Sequence, residues 1–324
     1  MNVKTAPNFF NLDPGLVLNV TEQAGFIPTG EFLQLNSYEN RVFDISLEFD
    51  DPKLARESHI ISKFYRPGRW SVQTILEEHD FLRDLSHEGI PAVAPLKQKN
   101  QSTLNQIEGI SFAFFPKVLG RMPQEFQKND LLQMGRLLAQ VHNMGARKKA
   151  PHRMALGNSK FCLEALQLLE DWVAPEIANR YFEAAENIID FLEAHLDQRE
   201  FIRIHGDCHK GNLLHNGSSY FLVDFDDFCN GPVVQDFWML LSGDESSLQE
   251  ERDFLLEGYE ELRPFPIHQW SLIPALRGLR IISYAAWIAK RWDDPSFPRL
   301  FPEYNTYRYW AEETESLERI AWSL

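Results

Sequence analysis

Residues 202–236 read IRIHGDCHKGNLLHNGSSYFLVDFDDFCNGPVVQD. Two short apolar runs, 201–204 and 220–223, have the residue types of strands. They enclose a polar loop that carries His205, Asp207, His209 and Asn212. The second run ends on three carboxylates, Asp224, Asp226 and Asp227. A strand pair with an acid, an amide and another acid at one end offers the oxygen ligands that Mg²⁺ takes from protein, the rest coming from phosphate and water. Asn212 and Asp224 are therefore the expected metal ligands, with Asp226 as a further candidate. Asp207 is left free and is the expected base for an acceptor hydroxyl.

This is the division of labour in kinase phosphoryl transfer. His205-Gly206-Asp207 with Asn212 has the spacing of the catalytic loop H-R-D-x-x-x-x-N, with Gly for Arg, and Asp224-Phe225-Asp226 stands in place of D-F-G. One Asp or Asn in such a hairpin would be read as a turn residue. The ordered set is far more specific. H-G-D-x-H-x-G-N, a hydrophobic strand and then D-F-D resembles the aminoglycoside phosphotransferase and choline kinase group. The resemblance implies an α+β, bilobal, protein-kinase-like fold with a β-rich N-terminal lobe and a mainly helical C-terminal lobe.

Upstream, strand-like residues 32–35 and 41–45 flank the polar turn 36–40. A turn at this place in a kinase-like lobe covers the nucleotide phosphates, although no G-x-G-x-x-G is present. The resemblance places this turn there, where backbone N–H groups and the Ser37 hydroxyl can meet phosphate oxygens, although the segment by itself reads almost equally as an ordinary hairpin turn. Residues 59–65 alternate as a strand that puts Ile61, Lys63 and Tyr65 on one face. Lys63 is the candidate phosphate-gripping lysine. Ser71 is positioned to cap a helix reaching about Ser86, on which Ile75, Glu78, Leu82 and Leu85 form one stripe. An unpaired carboxylate on an apolar stripe is costly, so Glu78 rather than Glu77 is the expected partner of Lys63. Further strands are expected near 96–98 and 110–115. Residues 116–121 read as the linker between lobes, which divides the chain into a nucleotide-binding lobe, 1–118, and a catalytic and substrate lobe, 119–324.

The remainder is mainly helical, with a break expected at Gly243-Asp244. Asp236 is expected to cap the helix that follows it and, by the resemblance, to brace the catalytic loop. His142 reads as a packed structural residue. Arg277, Arg280, Lys290 and Arg291 read as a solvated helix face rather than an acceptor groove.

The chain has 324 residues, 44% of them hydrophobic, and a formal net charge of −15. That balance argues against a nucleic-acid surface. Three cysteines, Cys162, Cys208 and Cys229, fit a reducing compartment better than a disulfide scaffold. The first residues have no signal-peptide core, and no run is expected to reach membrane-spanning length. A cytoplasmic protein is expected.

LNSYENRV, KFYRPGRW, ILEEH, FPKVLGR, HGDCHKGN, VDFDDFCNGPVVQDFWMLLSGD and AKRWDDPSFPRLFP together resemble the bacterial stress response kinases within the same group. What the resemblance implies is a monomeric serine/threonine protein kinase that uses ATP and Mg²⁺ on a protein substrate. A small-molecule kinase for choline, homoserine, a sugar or an aminoglycoside has the same loop. A nucleotide-binding regulator without transfer activity would be expected to lack Asp207 or Asp224, and both are present.

Overall fold

The computed structural model describes residue 9 and residues 12–48, 58–241 and 245–324. Helix α1 (Pro14–Ala24) starts at Asp13, whose carboxylate accepts the Gly15 N–H, and ends at Gly25 in the left-handed conformation. It packs on an antiparallel sheet made of β1 (Pro28–Leu35), β2 (Arg41–Leu47), β3 (His59–Phe64), β4 (Asn105–Ile107) and β5 (Ile110–Pro116), in the order β1-β2-β3-β5-β4. Between β3 and β4 lies α2 (Val72–His87), capped by Ser71 accepting from the Thr74 N–H.

The two-residue period gives the sheet two different faces. Ile60 and Phe64 point into a core with Val17, Val20, Phe43, Phe112 and Phe114. Ile61, Lys63 and Tyr65 point the other way, towards α2 and a wide cleft. Lys63 lies opposite Val42 of β2 and Ala113 of β5, on the central strand of the sheet. Residues 96–98 are not a strand, although the Leu96 N–H donates to the Phe114 carbonyl at 2.7 Å.

The second, larger core is built by α3 (Lys128–Gly145), α4 (Ser159–Leu169), α5 (Ala178–His195), α6 (Val234–Trp238), α7 (Glu245–Glu260), α8 (Ile273–Ala289), α9 (Phe297–Leu300) and α10 (Tyr307–Ser323). Gly135 of α3 and Gly258 of α7 let these helices approach until a Cβ on either would lie 2.2 Å from the other helix's backbone. The break expected at Gly243-Asp244 lies outside the described residues.

Two expectations are corrected here. The apolar runs around the polar loop 205–212 do not pair with each other. β6 (Ile202–Ile204) pairs with β9 (Cys229–Gly231), and β7 (Leu213–His215) pairs with β8 (Tyr220–Leu222). The polar loop turns back on itself at 210–212, so its own continuation becomes the neighbour of β8. In addition, one stretch, Ile267–Ala289, is long and apolar enough to cross a membrane. More than half of it is buried, because α8 is packed against α4, α5 and α10 in the helical core.

Candidate active site

Ser37, Lys63, Glu78, Asp207, Asn212 and Asp224 all line one cleft of about 2780 Å³ between the sheet and the helical core. Its floor is the loop that follows β6. Asp236 holds that loop: its buried carboxylate accepts the backbone N–H groups of His205 and Gly206, each at 2.8 Å, and contacts His142 Nε2 at 3.1 Å. His142 Nδ1 in turn meets the Tyr259 hydroxyl at 3.0 Å. Asp236 sits within α6 and caps nothing, so of its two expected roles the bracing one is found. The Gly for Arg exchange has a steric reason. Gly206 has φ +83°, and a Cβ there would lie 2.5 Å from the Asp227 carbonyl oxygen.

His205 Nε2 lies 3.0 Å from the Val223 carbonyl, which ties the loop to the approach of Asp224. Asn212 donates from Nδ2 to the Asp207 carbonyl at 2.9 Å and to its carboxylate at 3.3 Å, so the amide oxygen is the atom left for a cation. Asp224 has φ +58°, unusual for a residue with a side chain. Half of its side chain is exposed to the cleft.

Lys63 stands among carboxylates. Its Nζ is 3.5 Å from Glu78, 3.3 Å from Asp224 and 3.1 Å from Asp226. Burial alone would lower the ammonium; Asp226, Glu78 and Asp224 outweigh it and hold Lys63 protonated, well above its ordinary range. Glu78 is buried, and its other oxygen meets Arg153 at 3.2 Å. Glu77 points elsewhere, to His152.

Asp226 is buried beneath this group and joined to Arg69 and Lys63, while Asn40 donates to it at 3.2 Å. Burial opposes its charge, but Lys63, Arg69 and Arg153 keep the carboxyl well below the usual range. Asp226 Oδ2 is engaged by Arg69 and Asn40, whereas the buried Oδ1 faces Lys63 at 3.1 Å without a hydrogen bond among the described residues.

The turn after β1 is tied down from both sides. Ser37 Oγ accepts the Asn40 N–H at 3.2 Å. The Glu39 carboxylate meets Arg66 at 3.1 Å, Arg69 at 3.4 Å, Arg291 at 2.6 Å and the Trp287 indole N–H at 2.7 Å. Arg66 also reaches Asp294 at 3.0 Å. The turn after β1 is thus attached to the end of α8. Sequence reasoning missed Glu39, Arg69 and Arg153, because an isolated charge in a loop carries no period.

Asp207 is not free, contrary to expectation. Arg280 of α8 lies 2.6 Å from Oδ1, and His209 Nε2 lies 3.3 Å from Oδ2. Burial would raise this carboxyl, but the hydrogen bond from His209 and the charge of Arg280 hold it well below the usual range. The solvated-face reading is corrected for Arg280 and also for Arg291, which is nearly buried on Glu39. The helical period of α8 shows only that these arginines leave its apolar stripe, not what they meet.

Among the described residues no group of three His, Cys, Asp or Glu side chains is arranged to hold a metal ion. The donor set present suits a hard cation that takes few protein ligands: the amide oxygen of Asn212 and the half-exposed carboxylate of Asp224, both lining the cleft.

Comparison with known proteins gives the family. Residues 34–269 match the model of the phosphotransferase enzyme family, APH. The chain is 36% identical to stress response kinase A of Escherichia coli K12 over 316 residues, 96% of this chain and 93% of that one. It is 35% identical to the serine/threonine protein kinase RdoA of Salmonella typhimurium LT2, covering 94% and 92%. In three dimensions it is similar to amicoumacin kinase hAmiN in complex with AMP-PNP, Ca²⁺ and Ami, with TM-score 0.76 and 17% identity over 95% and 93% of the two chains. It is also similar to spectinomycin phosphotransferase with ADP and spectinomycin, with TM-score 0.66 and 15% identity over 95% and 97%. The likeness to these structures is one of fold, whereas the family match and the whole-length relatives concern the chain itself: this protein belongs to the phosphotransferase enzyme family and is a relative of the stress response kinases along nearly its whole length.

Proposed function

We propose that the protein is an ATP- and Mg²⁺-dependent serine/threonine protein kinase, monomeric and cytoplasmic, that acts in a stress response. The observation that carries this reading is Lys63, flanked by Glu78 at 3.5 Å and Asp224 at 3.3 Å, with Asp207 and Asn212 lining the same cleft. Similarity to a serine/threonine protein kinase over almost the full chain favours a protein acceptor. A small core confined to residues 9–114 supports a nucleotide-binding lobe, 1–118, beside a catalytic and substrate lobe, 119–324, whose larger core reaches back to α2 and β5 through Phe81, Leu82, Leu85 and Phe115.

In this reading Lys63 leaves its carboxylates to grip the α- and β-phosphates of ATP, and Ser37 and its turn cover them. Asn212 and Asp224 would hold Mg²⁺, which would supply positive charge against the phosphate oxygens. Asp207 accepts a hydrogen bond from the acceptor hydroxyl and aims its oxygen at the γ-phosphorus. As the new O–P bond forms and the bond to the β-γ bridging oxygen breaks, the hydroxyl proton passes to the Asp207 carboxylate and ADP leaves. A carboxylate held this low is a weak base in the ground state. Its contribution is therefore mainly orientation until the hydroxyl becomes acidic in a loose transition state.

The test is phosphoryl transfer from γ-labelled ATP with Mg²⁺, using protein acceptors and a panel of small alcohols. Label on serine or threonine of protein is the expected result. Label confined to a small alcohol would assign the protein to small-molecule phosphorylation, and none anywhere would remove the kinase reading.

A further inference from the structure

The cations of the cleft fall into two groups. Arg66, Arg69, Arg153 and Arg291 are each matched to a carboxylate within the protein. Those on the acceptor side are not matched in the same way. Arg280 uses only Nη1, which meets Asp207 and, at 3.9 Å, the Met239 sulfur. Its side chain is 38% exposed to the cleft, and among the described residues Nε and Nη2 have no partner. Arg277, three residues earlier and so a neighbour on the same helix surface, lines the same cleft, is exposed and makes no ion pair among the described residues. Guanidinium groups left open beside the transfer point are conspicuous in a chain of net charge −15.

The geometry of Arg280 has a second consequence. While its guanidinium is on Asp207 Oδ1, one of the two oxygens that would take the acceptor hydroxyl is occupied. An anion arriving with the acceptor can engage the open donors of Arg280 and draw it from Asp207. A forked guanidinium suits a carboxylate in this role, because it makes two parallel hydrogen bonds.

We infer that Arg280, with Arg277 beside it, is the specificity element of the transfer site and receives an acidic side chain of the acceptor peptide next to the serine or threonine that is phosphorylated. This rests on the protein-kinase reading. It assigns the acceptor a chemistry opposite to that of a cationic amine, and it makes the acidic neighbour release Asp207 for the hydroxyl.

The experiment uses the full chain, Mg²⁺, ATP and a set of peptides with one serine, flanked by Asp or Glu, by Ala, or by Lys. Wild type is expected to prefer the acidic peptides at least tenfold in kcat/KM, carried by both KM and kcat. Arg280→Met should lose the preference while keeping the KM for ATP, and Arg280→Lys should regain part of it. Arg277→Glu with Arg280 intact should shift the preference towards the Lys-flanked peptides. Melting temperature separates these effects from misfolding. Equal kcat/KM for acidic and neutral peptides in the wild type overturns this inference and leaves the kinase reading standing. Absence of transfer to every peptide overturns both.

Discussion

Lys63 lies 3.1 Å from Asp226 and 3.5 Å from Glu78. The buried aspartate is thus the nearer counter-ion, and the helix glutamate shares the lysine rather than owning it. Lys63→Met should abolish transfer and weaken ATP binding. It should also destabilise the fold, because Glu78 and Asp226 lose a cation in a buried place; breaking such a pair costs about 3–5 kcal/mol, and Arg69 and Arg153 keep the loss near the lower end. Urea unfolding and nucleotide titration check this. Normal ATP affinity would take Lys63 out of the phosphate site.

Asp224→Asn should remove metal-dependent transfer, by at least about 100-fold, since a preorganised charge at the transferring group is typically worth that much. Stability should stay within about 1 kcal/mol, because Asn tolerates the left-handed backbone and the side chain is half exposed. Rates over a Mg²⁺ titration, alongside a melting curve, decide it. Wild-type turnover would exclude Asp224 as a ligand.

Asp207→Asn should keep nucleotide binding and lose roughly 10²–10⁴-fold in turnover from the missing proton acceptor. Arg280 loses its counter-ion in the same variant. A collapse of ATP binding together with rate would make Asp207 a metal ligand or structural group instead.

Asp236→Ala should damage the site from a distance. It strands the N–H groups of His205 and Gly206 and one nitrogen of His142 in a buried place. Each buried unmet group costs about 1–3 kcal/mol, so the unfolding free energy should fall by several kcal/mol and kcat should fall with it. Unchanged stability would show that the loop is held by other means.

His79 gives a pH signature. It is fully buried between Tyr65 and Thr103, and burial, reinforced by Lys63 and Arg153, pushes its pKa down to about 3. The unfolded chain takes up this proton near pH 6.5, whereas the folded chain refuses it until about pH 3. Stability from this group is therefore complete above pH 6.5 and drains away as pH falls towards 3. His79→Gln should flatten that slope, at a cost at pH 7 of about 1–2 kcal/mol from weakened hydrogen bonds. Parallel acid slopes in the two proteins would place the titrating group elsewhere.

Short-range chemistry was legible in the chain. The spacing of His205, Asp207 and Asn212 is local, and the one loop after β6 carries all three, while Asp224 follows just after β8. Glu78 could be chosen over Glu77 because a helix turns 100° per residue, so only one of two adjacent acids faces the strand that bears Lys63. The two-residue period likewise put Lys63 on the face away from the Phe43–Phe114 core.

Tertiary structure alone decided the rest. An apolar run shows which face is buried but not which strand lies beside it, and so β6 paired with β9 while β8 paired with β7. Arg280 and Asp207 are 73 positions apart, and Glu39 meets Trp287 across 248. Long side chains find partners by where helices come to rest, and helix packing leaves no periodic trace in the residues that reach across. The sequence thus determined which side chains the loop after β6 carries and in what order. The resting place of α8 determined that the loop's aspartate meets an arginine, since only a packed helix can carry a guanidinium to a carboxylate so distant in the chain.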